Sequence, residues 1–333
     1  MQYRSLPQLR MTVFDPPFDL TVIIPARNEE QNIAAAVRSF PDVRVIVVDD
    51  GSQDKTAEIA RSAGAEVVPA PPLKKGLPGK PAACQAGAQL ATTEWLLFVD
   101  ADTSFSPQFL PSLLATARDE GLVMLTVYLQ QRCSTLWDKI VMPYFSCLFF
   151  TGVNAKKVNS PASLDALANG QCILVRRGPY EFMGGHGMVA RSIVEDLKLA
   201  SLAKRHRMKV QVVRGEHLGA VRRYEGFNGL RLNFEKNSVG FASVNPRCGL
   251  KVTLACLVLT SYLPVLAVLL SQQMWFAAAL FAILPILLLL PWYTSVLGLI
   301  LSPLAFYIVP AIALTAMLAA VHDRTVKWKG RPI

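Results

Sequence analysis

Asp100 and Asp102 stand one residue apart in FVDADTSFSP (98–107), where an apolar run ends. Two neighbouring carboxylates stay ionised together only beside a cation, and an all-oxygen pair suits Mg²⁺ or Mn²⁺. A D-x-D triplet by itself also fits a solvated turn, with Asp satisfying local hydrogen bonds. The company it keeps favours the metal. LTVIIPA (20–26) runs into Pro25, Arg27, Asn28 and Glu29, and VRVIVV runs into Asp49 and Asp50. A divalent ion held by one or two carboxylates completes its shell with phosphate oxygens, so these residues point to a phosphorylated ligand.

The elements that must position them read as alternating strands and helices. Short β-branched runs at 20–26, VRVIVV, EVVPA and EWLLFV read as buried strands. EEQNIAAAVRSF, DKTAEIARSAGA (stopped by Gly64) and GKPAACQAGAQLA between them read as helices. Such alternation predicts β-α-β units and a mostly parallel α/β sheet. Ligands bind such sheets at the carboxyl ends of the strands, where three of these strands end in polar residues.

PARNEE, VVDDGSQDKT, GKPAACQAG and FVDAD, in this order, resemble the nucleotide-sugar half of a family 2 glycosyltransferase of the GT-A fold. NGQCILVRRGPYEFMGGH (169–186) and IVEDLKLA (193–200) resemble its acceptor half, and VKWKGR (326–331) a tail of membrane-bound members. Within the family the chain is most similar to lipid-directed members, the carotenoid, hopene-associated and ceramide glycosyltransferases. The resemblance implies nucleotide-sugar contacts from Pro25, Arg27, Glu29, Asp50, Lys80 and Asp100. Asp50 would lie on the uracil or ribose side. Asp102 would be the principal metal ligand, with Asp100 beside it.

Sugar transfer from a nucleotide diphosphate needs a base for the acceptor hydroxyl and stabilisation of the leaving group. Glu195 and Asp196 are the candidates for the base. Ser192 and Glu195 also have the spacing of a capping box, which would make Glu195 structural. The resemblance makes Asp196 the base of an inverting single displacement. His186 is a candidate for touching phosphate or acceptor, or equally a loop histidine bonded to backbone. AVRRY (220–224) stands where processive members carry Q-x-x-R-W, with Arg223 and Tyr224 matching the end and Ala220 replacing Gln. That departure predicts a single transfer. Arg222 and Arg223 are candidates for the diphosphate, or for a basic surface facing anionic lipid.

The chain of 333 residues is 52% hydrophobic, only 17% charged and net +10. From Leu250 to Val321 it holds no Asp or Glu, and Lys251 is the sole basic residue. Windows at Val252–Leu270 and Ser295–Ala320, and a shorter one at Met274–Leu290, predict two or three spanning helices. Basic flanks at Arg247, Lys251, Arg324, Lys327, Lys329 and Arg331 put both ends in the cytoplasm. Expected units are an N-terminal extension (1–19), a cytoplasmic catalytic domain (20–245, divided at 103/104), a membrane region (250–321) and a basic tail (322–333). The extension has no run apolar enough for a leader. Segment 134–154, with Trp137 and Tyr144, reads as interfacial or as a buried helix. The six cysteines lack metal-ligand spacing and read as reduced thiols. Expected partners are a nucleotide-sugar donor, a lipid acceptor and the bilayer of the cell membrane, with no nucleic acid. Competing readings are a polyprenyl-phosphate sugar synthase, whose anionic acceptor needs no strong base, and a nucleotidyltransferase, which releases pyrophosphate.

Overall fold

The computed structural model describes residues 3–13, 17–73, 77–151, 154–192, 194–221, 226–232, 234–235, 254, 256–293, 295–321, 327–328 and 331–332. Its centre is a seven-stranded sheet built from β1 (Leu20–Ala26), β2 (Arg44–Asp49), β3 (Glu66–Pro69), β4 (Trp95–Val99), β6 (Met124–Tyr128), β8 (Cys172–Arg176) and β9 (Val210–Arg214). The order is β3-β2-β1-β4-β8-β6-β9. All neighbours run parallel except β8, which is antiparallel to both β4 and β6. A smaller sheet joins β5 (Thr103–Phe105), β10 (Gly219–Val221) and β7 (Gln130–Gln131) just beyond the Asp-rich end of β4.

The strands are uninterrupted apolar runs because both faces of the sheet are covered. On one face Val22, Ile24 and Leu97 pack with Ile33 and Val37 of α1 (Ile33–Arg38) and Leu113 of α4 (Phe109–Asp119). On the other, Ile23, Ile46 and Phe98 pack with Ala83 of α3 (Gly79–Leu90) and Leu199 of α8 (Glu195–Arg205). The helix expected at 54–65 forms as α2 (Thr56–Ser62). Gly64 ends it in a left-handed conformation, φ +103°, which glycine adopts without a Cβ penalty. The N-terminal segment is packed into the domain: Leu6 and Leu9 are buried, and the Leu9 N–H donates to Arg214 O at 2.7 Å.

α5 (Leu136–Thr151) opens with a reciprocal cap, Thr135 N–H to Asp138 Oδ2 and Asp138 N–H to Thr135 Oγ1, both 3.2 Å. Its Ile140, Val141, Tyr144 and Leu148 are buried against the C-terminal helices. The interfacial reading of 134–154 is thereby corrected at Tyr144, which is buried against Phe306 at a ring distance of 5.2 Å. Trp137 is 38% exposed.

The C-terminal part also departs from expectation. It forms α9 (Tyr262–Ser271), α10 (Trp275–Leu289), α11 (Val296–Ile300) and α12 (Ser302–Val321). Among the described residues no helix is long and apolar enough to cross a membrane. The hydropathy windows ran across breaks they could not register: Ser295–Ala320 divides at Leu301, and α12 carries Pro310 inside it. The flanks Arg247, Lys251, Arg324 and Lys329 lie outside the described residues.

Candidate active site

Lys80 organises the polar centre. It lies in the first turn of α3, packed over β1 and β2, and reaches across to the end of β4. Its Nζ is 2.6 Å from Asp100 Oδ1 and 3.1 Å from Glu195 Oε1, and it donates to Gly170 O at 3.1 Å. Burial works to lower its pKa, but Asp100, then Glu195, hold it well above the ordinary lysine value. Lys80 thus places a positive charge beside Asp100.

Asp196 shares the same junction. Its Oδ2 accepts the Gly170 N–H at 2.7 Å and its Oδ1 the Leu197 N–H at 2.8 Å. Burial first, then the Glu195 charge, push its pKa up to about 6, with Lys80 and the two N–H groups pulling the other way. Glu195 is 6% exposed and ion-paired with Lys80. The capping box does not form, because α8 begins at Glu195 with Val194 as its cap and without a side-chain cap bond. Glu195 thus belongs to the charge cluster.

Gly170, which sequence reasoning passed over inside NGQ, is the hinge of this arrangement. A Cβ there would stand 2.9 Å from Lys80 Nζ and 3.0 Å from Asp196 Oδ2, closer than side chains pack. Its neighbours are fixed by amides: Asn169 Nδ2 and Gln131 Nε2 each donate to Gln171 Oε1 at 3.0 Å. Gln171 O accepts the Asp100 N–H at 3.3 Å. The antiparallel β8 follows directly, so its insertion between β4 and β6 brings this corner onto the Asp100 end of the sheet.

The other predicted residues gather at the ends of β1 and β2. Pro25 pairs with Val48 in the sheet register. Arg27 Nη1 donates to Asp50 O at 2.5 Å and to Gly51 O at 3.4 Å. The Asp50 carboxylate lies against Gly79, where a Cβ would meet Oδ2 at 2.0 Å, so a side chain at the start of α3 would displace that carboxylate. Glu29 holds its own loop: its N–H donates to Thr56 Oγ1 at 2.7 Å and its Oε2 accepts from Asn32 Nδ2 at 2.8 Å. Arg222, Arg223 and Tyr224 lie outside the described residues.

His186 is only 2% exposed. Its Nδ1 is 2.8 Å from Tyr180 OH, and its ring meets Phe98 edge-on at 4.6 Å. Tyr180 OH donates to Gln85 Oε1 at 3.1 Å, which also accepts the Gly187 N–H. Burial holds its pKa down at about 4, so it is neutral at pH 7. The reading of a loop histidine bonded to backbone is corrected: the ring is buried and pairs with the Tyr180 hydroxyl.

Asp100 is engaged with Lys80, and among the described residues no three His, Cys, Asp or Glu side chains group to hold an ion. The half-buried Asp102 beside it is a carboxylate of the kind Mg²⁺ or Mn²⁺ takes along with phosphate oxygens and water. The residues fit an ion that arrives with a diphosphate and rests on Asp102.

Several known proteins are similar to this chain. The 4,4'-diaponeurosporenoate glycosyltransferases of Staphylococcus aureus strains USA300 and NCTC 8325 / PS 47 are each 32% identical over 240 residues, 68% of this chain. The chain spans 63% of the length of these relatives. Among solved structures, glucosyl-3-phosphoglycerate synthase from Mycobacterium tuberculosis in complex with Mg²⁺ and uridine diphosphate matches with a TM-score of 0.46 and 21% identity, covering 69% of this chain and 79% of that one. The model of the family described as Glycosyl transferase family 2 matches residues 21–182, which hold Pro25, Asp50, Lys80, Asp100 and Asp102. Residues 21–182 form a glycosyl transferase family 2 domain.

Proposed function

We propose that the chain is an inverting glycosyltransferase that moves a single hexose from a UDP-hexose to a hydroxyl of a membrane lipid. The observation that carries this reading is Asp196: a half-buried carboxylate with its pKa raised to about 6, set beside the strand-end cluster of Lys80, Asp100 and Glu195. A base works best with a pKa near the operating pH. Glu195, tied to Lys80, is engaged as a charge partner, which favours one displacement over a covalent glycosyl-enzyme.

The nucleotide is assigned to the ends of β1 and β2, where Asp50 and Arg27 meet. Asp102 would hold Mg²⁺ or Mn²⁺, which when bound neutralises charge on the departing diphosphate. Asp196 takes the proton as the acceptor oxygen bonds to the anomeric carbon and the bond to the diphosphate breaks. Ala220, in place of a glutamine, supports single transfer.

A lipid acceptor is supported by the surface. Large apolar side chains stand exposed along the C-terminal helices, among them Val258, Val268, Trp275, Phe276, Leu287 and Val296, a density that marks an interaction face. A relative named for 4,4'-diaponeurosporenoate points the same way. On this reading the chain works at the cytoplasmic face of the cell membrane, and the bilayer supplies the acceptor. The test is transfer of label from UDP-glucose, UDP-N-acetylglucosamine or GDP-mannose into a lipid extract, with Mn²⁺ or EDTA. Label from a UDP sugar, lost with EDTA, is the expected result; label from GDP-mannose alone, or none from any donor with the chain inserted in lipid, would overturn it.

A further inference from the structure

A cavity of about 310 Å³ is walled by Leu77, Met188, Val189, Arg191, Ser192 and Lys198. Leu77 precedes α3, which delivers Lys80, and Lys198 lies in α8, two residues beyond Asp196. The volume is at the small end of ligand sites, about 300–1,000 Å³, so it suits a head group better than a whole lipid.

The charge of the cavity is one-sided. Arg191 and Lys198 are exposed, no Asp or Glu lines the wall, and among the described residues neither cation is ion-paired. Lys80, by contrast, is fully engaged. Apart from Ser192 the named remainder of the wall is apolar, and Met188 is 68% exposed at its rim. An anion that carries an apolar tail matches both features.

We infer that this cavity binds the anionic head group, carboxylate or phosphate, of an amphiphilic acceptor, with Arg191 and Lys198 on the charge and Met188 and Leu77 along the first carbons of the tail. As an acceptor site the inference rests on the transferase reading above.

The test titrates the full chain in a neutral detergent with octanoate, octyl phosphate, octanol, inorganic phosphate and, separately, UDP. Octanoate or octyl phosphate should bind at least about tenfold more tightly than octanol, the size expected for a hydrogen bond to a charged group. Arg191→Gln and Lys198→Gln, both at exposed positions, should each lose about tenfold for the acids and leave UDP unchanged. The relative affinities of octanoate and octyl phosphate tell the carboxylate from the phosphate. Equal binding of octanol, or unchanged affinities in both variants, would overturn the site. Inorganic phosphate binding as tightly as octyl phosphate would overturn the amphiphile, and a parallel loss of UDP would reassign the cations to the donor. Acid binding by a wild type that ignores UDP would sink the transferase reading and leave the ligand class of the cavity standing.

Discussion

Lys80 is a residue whose partners decide several properties together. Lys80→Gln leaves the carboxylates of Asp100 and Glu195 without their ammonium, and removing one partner of a buried pair is costly. Both Lys80 and Asp100 keep some contact with water, so a loss of about 1–3 kcal/mol in urea unfolding is expected, below the fully buried case. The same change removes a positive charge that lowers the Asp196 pKa. The acidic limb of the pH–rate profile should therefore move to higher pH; a profile that stays in place would separate Lys80 from Asp196. Gly170→Ala tests the junction from the other side. The new Cβ presses on Lys80 Nζ and Asp196 Oδ2, and because both are side-chain atoms the fold can yield. The turnover number should fall about 10- to 100-fold, the scale of a small misplacement, while the melting temperature shifts little. Unchanged turnover would show that the Gly170 corner does not set the base.

At the scale of elements, the strands and helices up to β4 were legible because uninterrupted β-branched runs and short amphipathic stretches carry their own periodicity. Strand ends were legible for the same reason, and with them Asp50, Asp100 and Asp102. The direction of β8 was not: CILVR reads as a buried strand in either orientation. Yet its reversal is what brings Gly170 and Gln171 to Asp100. The spacing of Ser192 and Glu195 suggested a cap, but the cap position depends on where the chain enters the helix. Entry at Val194 frees Glu195 to meet Lys80. His186 misled for a related reason: flanking glycines look like an exposed loop, whereas Phe98 and Tyr180 close over the ring. α5 is joined to the C-terminal helices by Tyr293 OH, which donates to Ile140 O at 2.7 Å. Tyr293→Phe should cost about 1 kcal/mol of unfolding free energy, and no loss would mean that this bond does not secure the two layers.

At the scale of the whole molecule, the protein combines a charged junction built from both halves of the sheet with an extended apolar surface on its C-terminal helices. Hydropathy detected that surface but not its breaks, since a sliding average sees composition and not the points where α11 and α12 part. Substituting Trp275, Phe276 and Val296 together by Ser should reduce recovery with neutral-lipid vesicles in a flotation gradient several-fold, since each removes up to about 1.5–3 kcal/mol of apolar burial. Recovery equal to the unsubstituted chain would detach this surface from the lipid role. The central claim is that Asp196 takes the acceptor's proton, and its most direct test is the pH dependence of single-turnover transfer. Asp196 acts only when ionised, so the rate should rise with pH to a plateau, half-maximal near pH 6. Asp196→Asn should be slower by about 10²- to 10⁴-fold, lack that limb, and still bind UDP. A wild-type rate flat from pH 5 to 7, or an Asp196→Asn enzyme as fast as the wild type, would contradict the assignment and favour an acceptor that arrives already ionised.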